Sequence, residues 1–174
     1  MANKITYNMK AREEECTSFE KSSVCMDDLI PLICERLEEG QSVKFSPRGT
    51  SMLPMLRQGD SVVLSPCPER LKKYDLPLYR RDNGEYVLHR VIKVGKSYTC
   101  IGDNQFEYEH GIEHRQMIGV VTAFVNGKKE RSVDEWKYRV YCRARHFSRP
   151  ARRLYRALKS RIYRIIRKIF YKNI

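Results

Sequence analysis

Asn83-Gly84-Glu85-Tyr86-Val87-Leu88-His89-Arg90-Val91-Ile92-Lys93-Val94-Gly95-Lys96 is the stretch that decides the fold class. Its interior is rich in Val, Ile and Tyr, whose branched or aromatic side chains suit a pleated surface. It reads as one strand, Glu85–Val94. Asn83-Gly84 before it and Gly95-Lys96 after it suit tight hairpins. Working outward, Ser42–Phe45, Ser61–Ser65, Leu76–Arg80, Tyr98–Ile101 and Met117–Val125 read as strands too, and Asn126-Gly127 supplies a third hairpin signal. Several short strands at this spacing predict a mainly β core of barrel or sandwich type over residues 42–130.

The flanks differ. Residues 1–26 carry little periodicity and are expected to lack regular structure. Asp27-Asp28 open a helix expected over 27–39, because carboxylates accept the unpaired N–H groups of a first turn and favour the positive dipole end. Leu29, Ile30, Ile33 and Leu37 form its apolar face, Gly40 stops it, and Pro31 is read as falling in the first turn. Residues 27–135 are therefore read as one domain and 136–174 as a basic C-terminal tail. Pro150 is expected to break that tail. Beyond it Leu154, Leu158, Ile162, Ile165, Ile166, Ile169 and Phe170 recur at three and four residues with arginines opposite, which is a basic amphipathic helix.

The chain has 174 residues and a net charge of +13, with 34 basic and 21 acidic residues. From Arg143 onward there are 12 Lys/Arg and no acid, leaving 22 basic against 21 acidic residues elsewhere. The body is nearly neutral, and the basic character belongs to the tail. No stretch approaches the ~20 apolar residues of a membrane span, and the polar N-terminus has no apolar segment of a secretory signal. A cytoplasmic protein is expected. Cys16, Cys25, Cys34, Cys67, Cys100 and Cys142 form no C-x-x-C pair, so reduced thiols are expected rather than a zinc site or a disulfide framework.

Three polar groups stand at turns or strands within this β region. A serine hydroxyl needs a base to become a nucleophile. Ser51, in Gly49-Thr50-Ser51-Met52-Leu53-Pro54, sits at a kink where Gly49 permits unusual backbone angles and Pro54 blocks strand pairing. Such a kink presents an Oγ with free N–H groups beside it. His89 is the side chain best matched to general-base work near neutrality. Asp103, in Gly102-Asp103-Asn104, can point back along the sheet and fix the imidazole tautomer; Glu109 is a rival for that role. Each residue has a plainer reading: a turn serine, a half-buried strand histidine, a turn aspartate. Their order and spacing favour the joint reading, a serine peptidase on a small β domain.

Ser51-Met52-Leu53-Pro54 with Gly59-Asp60, then His89-Arg90-Val91, then Gly102-Asp103-Asn104, resemble the boxes of type I signal peptidases and LexA-type self-cleaving repressors. The resemblance covers about Ser46 to Val125. It implies a small signal-peptidase/LexA-like β domain with a short N-terminal helix, Ser51 as nucleophile and His89 as general base. Histidine stands where most bacterial members carry lysine, as in the archaeal and endoplasmic-reticulum signal peptidases. In those histidine-type members the triad acid maps onto Glu109, leaving Asp103 as a supporting acid; both are kept. The position that gives a hydroxyl to the oxyanion in some members is Gly49 here. The hole would then rest on backbone groups of Gly49, Thr50 and Ser51, chiefly the Ser51 N–H. Within these 174 residues neither the family's usual N-terminal membrane anchor, nor a helix-turn-helix module, nor the large second β domain is expected.

The expected function is a serine endopeptidase acting on a peptide or protein: a leader-bearing peptide, an exposed segment of a membrane protein, or the chain itself. The alternative is a non-catalytic regulatory or peptide-binding module of the same fold. Residues 150–174 fit the cytoplasmic face of an anionic membrane, ahead of packing on the domain and ahead of nucleic acid. Peripheral attachment to the inner membrane face is thus expected. His110-x-x-x-His114 has metal-ligand spacing but no third ligand nearby, and no metal or cofactor is expected.

Overall fold

The computed structural model describes residues 26–127 and 129–170. The expectation for residues 1–26 falls outside them, apart from Met26. Three α-helices and nine strands are described: α1 (Met26–Glu38), β1 (Val43–Phe45), β2 (Ser61–Pro66), β3 (Pro77–Arg80), β4 (Tyr86–Leu88), β5 (Arg90–Val94), β6 (Tyr98–Ile101), β7 (Glu109–Ile112), β8 (Met117–Asn126), β9 (Lys129–Ser132), α2 (Trp136–Phe147) and α3 (Arg149–Phe170). All strand pairings are antiparallel, and the fold is mainly β, as the sequence predicts.

The larger sheet has the order β1-β2-β8-β3-β4, and the smaller one β5-β6-β7. The long strand β8 organises the first. One edge pairs with β2; the other pairs first with β3 and then, from Ala123 to Asn126, with β9. Gly119, Val121 and Ala123 are buried in alternation, as a sheet with one covered face requires, and Phe124 next to them is buried as well. The cover is α1, whose Ile30, Ile33 and Leu37 pack with Val62, Leu64 and Val121. Gly119 allows this close approach: a Cβ there would stand 2.8 Å from Ser65 O and 2.9 Å from Leu37 Cδ1. Gly40 (φ +76°) ends the helix, its N–H returning to Leu37 O. Pro31 lies inside α1 rather than in its first turn.

The stretch Glu85–Val94 is two strands, not one. β4 closes an edge of the larger sheet, β5 opens the smaller one, and His89 is the residue between them. The reason is burial. Leu88, His89, Arg90, Val91 and Ile92 are all buried, whereas one half-exposed strand would show every second residue to solvent. The chain changes sheets at His89 instead, and a second core of Leu71, Tyr79, Val91, Tyr98, Cys100 and Ile112 fills the junction.

The segment from Trp136 divides differently from the expected tail. Tyr138 and Cys142 of α2 are buried in the main core, so this helix is part of the domain. Pro150 does not break a helix: α2 ends at Phe147, and Pro150 lies in the first turn of α3, where its missing N–H costs no bond. Cys34, Cys67, Cys100 and Cys142 are free thiols. Burial, and then the charge of Glu109, push the Cys100 thiol up to about 12. No helix among the described residues is long and apolar enough to cross a membrane.

Candidate active site

Ser51 lies in the turn that follows β1. Gly49 opens that turn with φ +105°, a left-handed conformation that favours glycine. Met52 and Leu56 anchor it, each 5 % exposed in the main core, and Leu56 N–H donates to Met52 O at 3.1 Å. Ser51, between the kink and the anchor, stays half-buried. Among the described residues its N–H donates to no protein acceptor.

The Gly102-Asp103-Asn104 loop lies against this turn, and each of its residues has a separate task. Asn104 donates its backbone N–H to Ser51 O at 2.7 Å and its side-chain Nδ2 to Thr50 O at 3.2 Å. Gly102 makes that approach possible, since a Cβ there would stand 2.8 Å from Ser51 O. Asp103 turns inward, fully buried, and binds Arg90 through Nε at 2.9 Å and Nη2 at 2.8 Å. Tyr141 donates to the same carboxylate at 3.0 Å, and Arg90 Nη1 donates to Tyr138 Oη at 2.6 Å. A buried charge pair with its donors and acceptors occupied is the condition under which such a pair is tolerated in a core.

His89 is 1 % exposed. Its Nδ1 stands 2.8 Å from Glu109 Oε1, at the start of β7. Tyr79 donates to Glu109 Oε2 at 2.7 Å, and Arg81 binds both carboxylate oxygens, through Nε at 2.9 Å and through Nη2. Burial opposes ionisation of Glu109, but the hydrogen bonds from His89, Arg81 and Tyr79 outweigh it and hold the carboxyl well below the ordinary carboxylate range. An ionised Glu109 fixes the proton on Nδ1 and leaves Nε2 as the basic nitrogen. Only His146 Nδ1 and Arg149 Nε and Nη1 are both sealed from solvent and unpaired among the described side chains. His89 Nε2 has no protein partner among the described residues.

Of the two candidate acids, then, Glu109 touches His89, while Asp103 fixes Arg90, the residue after it. Among the described residues no hydrogen bond joins Ser51 Oγ to His89. Ser51 and His89 are linked through the loop between them: Asn104 holds the serine turn, Asp103 holds the chain beside the histidine, and Glu109 ends the loop on the histidine itself. The partner of Arg90 is not visible from its motif, and Tyr79 and Arg81 carry no local signal. Their shared acid lies 30 and 28 residues away.

The two spaced histidines bond separately, His110 Nδ1 with Thr99 Oγ1 at 3.3 Å and His114 Nδ1 with Tyr98 Oη at 3.2 Å. No protein-family model matches this chain, and no curated protein sequence matches it significantly.

Proposed function

We propose that this chain is a serine endopeptidase in which Ser51 is the nucleophile, His89 the general base and Glu109 the residue that orients it. The observation that carries the reading is the buried His89–Glu109 pair, with Nδ1 engaged, joined by one loop to the turn of Ser51. In this mechanism Ser51 Oγ attacks the scissile carbonyl carbon as its proton passes to His89 Nε2. The tetrahedral oxyanion accepts the unpaired Ser51 N–H. Collapse expels the amine, which takes the proton from His89, and water then hydrolyses the acyl-ester with His89 again as base.

Substrate fits as an added strand. β1 and β4 are the end strands of the larger sheet; the chain leaving β1 leads to Ser51 and that leaving β4 leads to His89. The resemblance to signal peptidases adds a preference for small residues before the cleaved bond, and a leader-bearing peptide or an exposed protein segment as substrate. Membrane-surface work belongs to the same reading, through the exposed face of α3. The lack of a Ser51–His89 hydrogen bond favours the second reading, a peptide-binding module without turnover. Catalytic hydrogen bonds often tighten only when substrate is bound, so the two readings separate by reactivity. A fluorophosphonate is expected to label the wild type and leave Ser51→Ala unlabelled; a folded wild type that takes no label would establish the non-catalytic module.

A further inference from the structure

The foot of the C-terminal segment rests on the loop that seats Ser51. Arg145 donates to Asp103 O at 3.0 Å and to Leu53 O at 3.1 Å. Arg152 donates to Asp103 O at 3.2 Å, and Arg156 to Asn104 O at 3.4 Å and to Asn104 Oδ1. Below them Phe106 lies 4.8 Å from the Arg156 guanidinium, and Tyr108 lies 5.5 Å from that of Arg149. Four arginines thus brace one loop, and Arg145 ties it to the turn of Ser51 as well.

The brace is costly to hold. Arg149 is buried, and among the described residues its Nε and Nη1 are unpaired and its one side-chain hydrogen bond, to Gly102 O, is 3.5 Å long. Burial, followed by the charges of Arg145 and Arg149, pushes Arg152 below its ordinary value. The outer part of α3 gives little support from the body. Leu154, Tyr155, Leu158, Ile162, Tyr163 and Ile166 are each between 45 % and 65 % exposed. At 100° per residue they occupy one flank of the helix, and the bracing arginines lie at its border.

We propose that the apolar flank of α3 docks on an anionic lipid surface, and that docking tightens the arginine brace on the loop holding Ser51. Charge selects the occupant. The 22 residues of α3 hold nine Lys/Arg and no acid, so a second copy packed on this flank would set like charges against each other. Nucleic acid would take the cations but leave the six apolar side chains in water. A bilayer takes both: the apolar flank enters the acyl boundary while Arg153, Arg161 and Arg164 meet the headgroups, and Lys159, which lies on the flank over Tyr163, extends its ammonium up to them. Immersion fixes the outer helix, and the same rigid element then holds Arg152 and Arg156 on Asp103 and Asn104. The linkage is reciprocal, so stiffening the loop also favours docking. Its consequence for turnover rests on the peptidase reading; the docking and the brace do not.

The test combines sedimentation with amide hydrogen exchange on the full chain. Wild type is expected to pellet with phosphatidylglycerol vesicles and not with phosphatidylcholine alone. Leu158→Glu/Ile162→Glu, which alters only exposed side chains, should bind about tenfold more weakly or worse while melting like wild type. On the vesicles, exchange across Gly102–Glu109 should slow several-fold, and this slowing should vanish in Arg152→Ala/Arg156→Ala. Equal pelleting of the Glu variant, release of wild type from vesicles by duplex DNA, or a concentration-dependent dimer abolished by the Glu variant would each overturn lipid docking. Unchanged exchange in vesicle-bound wild type, or the same slowing without the two arginines, would overturn the brace. Neither readout depends on whether Ser51 is reactive.

Discussion

Glu109 receives His89, Tyr79 and Arg81 at once, and its low titration makes a stability statement. A carboxyl whose folded value lies below its ordinary 4.5 contributes stability that is complete above that value and lost as pH falls through the lower, folded one. Urea midpoints measured from pH 7 downward should therefore fall below about pH 4.5 in wild type and fall less steeply in Glu109→Gln; parallel curves would contradict the pairing. Asp103 predicts a different outcome. Asp103→Ala strands the buried Arg90 charge and should cost about 3–5 kcal/mol in denaturant unfolding, whereas a loss under about 1 kcal/mol would mean the pair is hydrated. Ser51, His89 and Glu109 were legible as candidates because a hydroxyl, an imidazole and an acid in order carry chemistry on their face. The division of labour between Asp103 and Glu109 was not, because burial and Arg90 decide it.

At the scale of elements, the strongest strand signal concealed the break that matters. Richness in Val, Ile and Tyr marks Glu85–Val94 as extended, and extended it is. Propensity cannot reveal that the chain leaves one sheet for another at His89, since that depends on Asp103 and the second core. β7 was missed for a related reason: Glu109-His110-Gly111-Ile112 has a loop's composition, and its pairing comes from β6. Close approaches were equally invisible and now give sharp tests. Gly119→Ala should lower stability by about 1–3 kcal/mol through overpacking of α1 against β2 and β8; an unchanged thermal midpoint would contradict the packing. Gly102→Ala should displace the Ser51 turn and slow phosphonate labelling while leaving the domain folded, and labelling at the wild-type rate would show that the Asn104–Ser51 contact is dispensable.

For the whole molecule, the hairpin signals and the N-terminal helix sufficed to give a mainly β domain, but they set its C-terminal boundary too early. Tyr138 and Cys142 join the core because Arg90 needs a phenol and Phe124 needs an aromatic neighbour, 5.3 Å away between ring centroids. Neither need is visible from the basic composition of the segment. The result is a mainly β core closed by α2, with α3 as its exposed basic extension. In the proposed mechanism His89, held by Glu109, activates Ser51. That activation is tested most directly by comparing phosphonate labelling rates of wild type, His89→Ala and Glu109→Gln, with the adduct located by mass spectrometry. One adduct is expected, on Ser51, formed about 10²–10⁴ times more slowly without the imidazole and measurably more slowly in Glu109→Gln. Labelling of Ser51 at equal rates in all three, or an adduct elsewhere in the chain, would contradict it.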